Sequence, residues 1–142
     1  MKGILFLCVA NSARSQIAEG IARSLAPPEI KVWSAGSRPT SVRPEAIKVL
    51  GEIGIDISRH RSKLVDEIPA GEVDTVITLC GEQECPLFLG KARRLHWGLP
   101  DPAAATGSET ERLDAFRTTR DELRRRLEVF LASGGQEGEP QP

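Results

Sequence analysis

The most constraining feature of this sequence is a short loop that joins an apolar run to an amphipathic segment. Residues 4–7 are all apolar, which is typical of a buried parallel strand. The loop that follows begins at Cys8 and has Arg14 six positions later. After it, apolar residues recur at helical spacing: Ile17, Ile21 and Leu25. The pattern predicts a β-strand, a loop and an α-helix, with the loop at the N-terminus of the helix.

Residues 8–15 have the chemistry of an oxyanion site. Free backbone N–H groups and the helix dipole favour an anion at a helix N-terminus, and the planar guanidinium of Arg14 can bind two oxygens. Cysteines in such surroundings ionise readily, so we expect Cys8 to be a thiolate nucleophile that Ser15 hydrogen-bonds. We predict that the anion is bound by Val9, Ala10, Asn11, Ser12, Ala13, Arg14 and Ser15. The alternative is a buried cysteine that ends a core strand.

Two further cysteines and an aspartate follow other predicted strands. Cys80 ends the apolar run 76–79, and Cys85 comes five residues later. Asp101 lies between two prolines, after a candidate strand at 92–97. Because the carboxyl ends of parallel strands share one edge of a sheet, we expect these side chains to converge on the site at Cys8.

The predicted elements alternate along the chain. We expect strands near 3–8, 31–34, 73–79 and 93–97, and helices near 14–25, 44–54, 62–68 and 109–132. This alternation predicts an α/β, single-domain, three-layer fold: a four-stranded parallel sheet with helices on both faces. The domain is expected to cover residues 1–132, and residues 133–142 are expected to form a disordered tail because they offer no apolar side chain to dock.

Charge and composition exclude several classes of protein. A net charge of −1 with 27% charged residues argues against nucleic-acid binding. The apolar runs are far shorter than the roughly 18 residues of a membrane span. Three cysteines without a secretory signal favour the cytoplasm. Neither His60 nor His96 has zinc-finger spacing to the cysteines, so we expect no metal site.

From Gly3 to about Leu131, the chain resembles the thioredoxin-coupled arsenate reductases, which are built on the low-molecular-weight protein tyrosine phosphatase fold. The resemblance rests on an ordered set of motifs. They are residues 8–15, Trp33-Ser34-Ala35-Gly36, Asp56-Ile57-Ser58-Arg59-His60, Thr78-Leu79-Cys80 with Cys85-Pro86, and His96-Trp97-Gly98 with Asp101-Pro102.

The resemblance implies a function and a site. Cys8 would attack bound arsenate while Asp101 protonates the departing oxygen. Cys80 would then attack Cys8 and release arsenite, and Cys85 would resolve the disulfide, leaving a redox-active Cys80–Cys85 pair for thioredoxin to reduce. No cofactor would be tightly bound, phosphate or sulfate would compete with arsenate, and we expect a monomer.

Two residues and one spacing depart from the usual family pattern. Ala10 replaces a glycine, and the gap between Cys80 and Cys85 is two residues shorter. Lys63 stands where members that bind potassium have an aspartate. We expect its ammonium group to lie against Glu19 in place of the ion, although a lysine that points into solvent is the alternative. The residues expected to support the loop are Asn11, Ser15, Glu19, Ser34 and Lys63.

Two other functions remain open. A tyrosine phosphatase would use Cys8, Arg14 and Asp101 in the same way, and weak phosphatase activity is expected in either case. However, the sequence has alanines rather than aromatic residues after the Asp-Pro pair, and hydrolysis gives no role to Cys80 and Cys85. A thiol-based redox sensor would leave the arginine and the aspartate without a role.

Overall fold

The computed structural model describes residues 1–81, 88 and 90–135. The strands are β1 (Gly3–Cys8), β2 (Lys31–Gly36), β3 (Thr75–Thr78) and β4 (Arg93–His96). The α-helices are α1 (Arg14–Leu25), α2 (Pro44–Gly51) and α3 (Glu109–Ala132). Three short 3₁₀ helices cover Val65–Glu67, Ala70–Glu72 and Pro102–Ala104.

The described strands form one parallel sheet in the order β2-β1-β3-β4. In the register, Cys8 lies beside Gly36 of β2, and Thr78 lies beside His96 of β4. Because all four strands run in the same direction, the segments that follow them emerge at one edge of the sheet. The predicted α/β class with a four-stranded parallel sheet is confirmed.

The larger core lies on one face of the sheet. Ile4 and Phe6 of β1 are fully buried there, and all three α-helices pack over them. The helices contribute buried side chains that include Ile17, Ile21, Val49, Leu50, Phe116, Leu123 and Leu127. Burying one such side chain contributes about 1.5–3 kcal/mol, so this face anchors β1 and α1, the two elements on either side of the loop.

The second face is covered by shorter elements. Leu5 and Leu7 of β1 pack there with Ile68, Val73 and Phe88, beneath the 3₁₀ helices Val65–Glu67 and Ala70–Glu72. The prediction of an α-helix near 62–68 is therefore wrong. Ile68 precedes a proline and is extended, with φ −85° and ψ 133°, because a following proline disfavours the α conformation.

The ends of the long helix α3 are well defined. Ser108 and Glu111 form the capping box that begins it. At its C-terminus, the backbone N–H of Gly135 donates to Phe130 O at 2.8 Å. Residues 133–135 thus form a turn against the helix, and the rest of the predicted tail, 136–142, lies outside the described residues. In the part of the chain that the structure describes, no helix is long and apolar enough to cross a membrane.

Candidate active site

The loop after β1 encloses a small cavity that holds a free thiol. Cys8 ends β1, is 2% exposed and forms no disulfide. The cavity has a volume of about 170 Å³. It is lined by Cys8, Val9, Ala10, Ser12, Ala13, Arg14 and Asp101. The structure therefore brings the first cysteine, the arginine and the aspartate predicted from sequence to one cavity.

The backbone carbonyls of the loop all have partners outside the cavity. Val9 O accepts from Arg38 N, Ala10 O from Thr40 N, Asn11 O from Ser62 Oγ, Ser12 O from Arg43 N, and Ala13 O from Ile17 N. In a trans peptide, the next N–H points opposite to the carbonyl. The outward carbonyls therefore leave the loop N–H groups on the cavity side, where an anion can accept from them.

Two further features leave room for an anion beside the loop N–H groups. Gly36 approaches the loop so closely that a Cβ atom there would collide with the carbonyl oxygen of Val9, so β2 needs glycine at this point. Ala13 at the N-cap of α1 supplies no side-chain hydrogen bond. The first N–H groups of α1 are thus left for a ligand, as in other anion sites at helix N-termini.

Arg14 is buried and is held by the segments that follow β3 and β4. Its Nη1 donates to Leu99 O at 2.9 Å and to Leu79 O at 3.3 Å. Its Nη2 lies 3.8 Å from Asp101 Oδ2. Both carbonyls accept from the same guanidinium nitrogen. The position of the Arg14 side chain at the cavity is therefore set by Leu79 and Leu99.

Asp101 is the most accessible of these groups, with 38% of its side chain exposed. Its Oδ1 accepts from Ala103 N at 3.0 Å and caps the short helix Pro102–Ala104. This hydrogen bond leaves Oδ2 facing Arg14 and the cavity. A carboxyl group in this place is able to donate a proton to an oxygen that leaves a bound oxyanion.

Asn11 organises the buried side of the loop. It has a φ of 49°, which makes it the one non-glycine residue with positive φ among the described residues. Its Nδ2 donates to Ser15 Oγ at 2.7 Å and to Ser34 Oγ at 2.9 Å, and Ser15 Oγ lies 2.8 Å from Cys8 Sγ. The left-handed position thus falls on an asparagine, which tolerates it, and Ala10 needs no positive φ.

A buried ion pair lies behind Asn11. Ser34 Oγ donates to Glu19 Oε1 at 2.5 Å, and Lys63 Nζ lies 3.6 Å from the same oxygen. The other Glu19 oxygen is 2.8 Å from Arg23 Nη2. Lys63 is only 16% exposed on its side chain, so it lies against Glu19 instead of pointing into solvent.

The second cysteine lies just after the end of β3, close to Arg14. Cys80 is fully buried and directly follows Leu79, whose carbonyl accepts from Arg14. Cys80 is therefore next to a residue that contacts Arg14, and it lies at the border of the cavity site. Cys85 lies outside the described residues, so its predicted place near Cys80 stays a prediction.

Several supporting groups were missed by the sequence interpretation. Gln16 is fully buried beneath Asn11, and Ser62 donates to the Asn11 carbonyl at 2.7 Å. The backbone donors at 38, 40 and 43 have no sequence signature because any residue except proline supplies an N–H.

The two histidines lie apart from the cavity lining. His60 Nδ1 is 3.0 Å from Gln16 Oε1, and burial lowers the pKa of His60. His96 Nδ1 is 2.7 Å from Thr78 Oγ1. Among the described residues, no group of three or more His, Cys, Asp or Glu side chains is arranged to hold a metal ion.

Comparison with known proteins identifies the family. The low molecular weight phosphotyrosine protein phosphatase family matches residues 3–139. The chain belongs to this family.

Within that family, the chain is similar to several arsenate reductases. The arsenate reductase of Bacillus subtilis (strain 168) is 43% identical over 135 residues, which cover 94% of this chain and 97% of that protein. A solved arsenate reductase in the phosphate binding state has a TM-score of 0.78 at 36% identity, with 94% of this chain and 98% of that chain covered. A thioredoxin-dependent arsenate reductase of Corynebacterium glutamicum has a TM-score of 0.60 at 28% identity, with 91% and 63% covered.

Proposed function

We propose that this protein reduces arsenate to arsenite by a relay of three cysteines and receives its electrons from thioredoxin. The observation that carries the proposal is the cavity of about 170 Å³, where a free thiol, open backbone N–H groups, an arginine and an aspartate meet. The cavity is large enough to admit a tetrahedral oxyanion. The similarity to arsenate reductases over nearly the whole chain supports the same substrate.

The first step forms a bond between sulfur and arsenic. Arsenate binds to the loop N–H groups and to Arg14, and phosphate or sulfate competes for the same donors. The Cys8 thiolate attacks arsenic while Ser15 stabilises its charge. One arsenic–oxygen bond breaks, and Asp101 protonates the departing oxygen, which leaves as water. The product is a covalent adduct of Cys8 with arsenic still in the +5 state.

The second step is the reduction. The Cys80 thiolate attacks the sulfur of Cys8, and the electron pair of the sulfur–arsenic bond passes to arsenic. Arsenite leaves with arsenic in the +3 state, and a Cys8–Cys80 disulfide forms. The contact between Arg14 and Leu79 O supports this role, because it places the start of the Cys80 segment beside the anion site. A disulfide needs Cα atoms within about 7 Å, so the relay requires Cys80 to come within that distance of Cys8 and then of Cys85.

The third step regenerates the nucleophile. The Cys85 thiolate attacks Cys80 and releases the Cys8 thiolate, which the loop N–H groups stabilise as a leaving group. Thioredoxin then reduces the Cys80–Cys85 disulfide, as the name of the Corynebacterium relative suggests. A reducing cytoplasm would keep these thiols active, and we propose that the protein works there as a monomer.

The ion pair between Lys63 and Glu19 has a supporting role in the proposal. Its ammonium group supplies a positive charge 3.6 Å from a buried carboxylate that also accepts from Ser34. A potassium ion is therefore not needed to hold this side of the loop.

Phosphatase activity is the second candidate, because the family is that of phosphotyrosine protein phosphatases. The residues that follow Asp101 and Pro102 are alanines, which offer no aromatic surface to a tyrosine ring. We therefore propose only weak hydrolysis of small aryl phosphates as a side activity.

The relay is tested by a single turnover of the fully reduced protein with arsenate and without thioredoxin. We expect one arsenite per chain and the loss of two thiols, with the disulfide mapped to Cys80 and Cys85 by mass spectrometry. The matched variant Cys85→Ser is expected to release arsenite but to stop at a Cys8–Cys80 disulfide. Arsenite release with all thiols intact, or no arsenite at all, would contradict the proposal.

A further inference from the structure

We propose that Gln16, assisted by Ser62, is a positioning residue that fixes Asn11 and through it the oxyanion loop and the thiol of Cys8. Neither residue lines the cavity. The inference rests on the proposed use of the loop as an anion site but not on any later step of arsenate reduction.

The contacts of Gln16 leave one orientation of its side-chain amide. Gln16 is fully buried. One end of the amide faces three oxygens: Asn11 Oδ1 at 2.9 Å, Arg61 O at 2.9 Å and Asn11 O at 3.3 Å. All three are acceptors, so this end must be the amide nitrogen, whose two hydrogens serve the two short contacts and share with the longer one. The amide oxygen therefore faces His60, which must donate to it from Nδ1 at 3.0 Å.

The orientation of Gln16 in turn determines that of Asn11. Asn11 Oδ1 receives one hydrogen bond from Gln16 Nε2 and another from the backbone N–H of Lys63 at 2.8 Å. With its oxygen held by two donors, the Asn11 amide must point its nitrogen at Ser15 and Ser34. The side chain of Asn11 thus has no freedom to flip.

The direction of the next hydrogen bond follows. Ser15 Oγ accepts a hydrogen bond from Asn11 Nδ2, which leaves the hydroxyl proton of Ser15 to be donated to Cys8 Sγ, 2.8 Å away. When Cys8 is a thiolate, Ser15 is the donor in this pair, because the sulfur then has no proton to give. A donor held on the sulfur stabilises the thiolate, and its direction depends on the donors that fix Asn11.

Ser62 acts on the backbone of the same residue. Its hydroxyl donates to Asn11 O at 2.7 Å, on the oxygen that Gln16 also approaches. Asn11 has positive φ, a conformation that persists only where the surroundings hold it. The two donors keep this carbonyl out of the cavity and so preserve the inward N–H groups of the loop.

The test compares Gln16→Met, which keeps the length of the side chain and removes its donors, with Gln16→Glu, which keeps its shape and its acceptor for His60. Ser62→Ala removes the second donor with little change in packing. Thr119→Val is the control, because Thr119 is a buried residue of α3 that donates only to Ala115 O in its own helix.

Two properties of Cys8 are measured, neither of which needs arsenate. The first is the pH profile of its alkylation by iodoacetamide, followed on the Cys8 peptide by mass spectrometry. The second is the protection of Cys8 by inorganic phosphate, which reports the dissociation constant of the anion. Thermal unfolding is recorded for each variant.

For both Gln16 variants, we expect phosphate to bind about tenfold more weakly or worse and the alkylation profile to move to higher pH. Ser62→Ala is expected to change both in the same direction by a smaller factor. Thr119→Val is expected to leave phosphate protection and the profile unchanged, whatever its effect on the unfolding temperature.

Wild-type phosphate affinity and an unchanged profile in Gln16→Met, or in Ser62→Ala if the Gln16 variants do not fold, would overturn the inference even if the unfolding temperature falls. If phosphate fails to protect Cys8 in the unaltered protein, the anion site of the proposed function is itself wrong. That outcome is distinguishable because it is seen before any substitution.

Discussion

The two sides of the cavity differ in how firmly they are held. On the loop side, residues 8–15, Asn11 and Ser15 are fully buried, and every backbone carbonyl from Val9 to Ala13 has a partner outside the cavity. On the strand-end side, residues 79–81 and 90–101, Asp101 is 38% exposed, and its Oδ2 lies 3.8 Å from Arg14 Nη2. The backbone of the loop side is thus restrained by hydrogen bonds, whereas Asp101 is partly exposed to solvent.

This difference matches what each side is proposed to do. Donors that stabilise an anion work best when they are already oriented, because reorientation during the reaction costs free energy. A group that transfers a proton and is then reprotonated needs contact with water. Thiol exchange needs the sulfurs to meet in turn. The following substitutions separate the two sides, from the largest expected effect to the smallest.

The largest effects are expected from replacing Cys8 or Cys80, and the two substitutions should differ in their effect on hydrolysis. Cys8→Ser and Cys80→Ser are both expected to abolish arsenate reduction, since each removes a sulfur that forms a bond in the relay. Only Cys8→Ser should also abolish the weak hydrolysis of an aryl phosphate, because hydrolysis needs the nucleophile Cys8 and gives no role to Cys80. Steady arsenite production by Cys80→Ser would contradict this division.

Asp101→Asn is expected to lower the rate of arsenate reduction by about 10²–10⁴-fold, the usual contribution of a general acid. Phosphate should bind at least as tightly as before, because a carboxylate beside the anion has been removed. The control is Asp66→Asn, since Asp66 is an exposed residue of the 3₁₀ helix on the second face of the sheet. Weaker phosphate binding in Asp101→Asn would mean that the aspartate holds the loop side as well.

Asn11→Ala removes the centre of the loop side. We expect phosphate binding to weaken by at least about tenfold and unfolding in urea to be easier by about 2 kcal/mol, because buried partners lose their hydrogen bonds. Asn11→Gly should bind phosphate as poorly but be more stable than the alanine variant by about 1 kcal/mol, because positive φ is strained for alanine. Equal phosphate affinity in either variant and the unaltered protein would show that the network does not shape the loop.

The ion pair behind the loop is expected to make activity insensitive to potassium. Replacing sodium by potassium should change the catalytic efficiency by less than about twofold, because the ammonium of Lys63 already lies against Glu19. The variant Lys63→Asp is expected to gain a response to potassium. A marked rise in the efficiency of the unaltered protein on adding potassium would show that the lysine does not replace the ion.

The smallest effect on activity is expected from a cluster outside both sides. Hydrogen bonds from Arg117, together with Arg120, lower the pKa of Glu52 to about 2, where α3 meets the end of α2. Because the pKa of Glu52 is lower in the folded protein, its ionised carboxylate stabilises the fold at pH values above its ordinary pKa of 4.5. This stability is lost as the pH falls from about 4.5 towards 2. Glu52→Gln should lower the unfolding temperature at pH 7 and flatten its decline in that acid range. A loss of arsenate reduction in this variant would link the cluster to the site.

Sequence patterns predicted the strand and helix on either side of the loop better than the segments that pack around the loop. The bounds of β1 and α1 agree with the predicted 3–8 and 14–25, because apolar runs and helical spacing depend on nearby residues. The helix expected near 62–68 is a 3₁₀ turn, and α2 ends at Gly51 instead of residue 54. Contacts such as Ser62 with Asn11 and Arg38 N with Val9 O join residues far apart in the chain, so no local pattern records them.

The central claim is that the anion loop and the cysteine relay form one catalytic cycle. The most direct test is the consumption of NADPH in the presence of arsenate, thioredoxin and thioredoxin reductase, because it requires every step from the bound oxyanion to the external disulfide. We predict sustained consumption, with one arsenite released per NADPH. No arsenate-dependent consumption, together with brisk hydrolysis of an aryl phosphate by the same protein, would contradict the claim and identify a phosphatase.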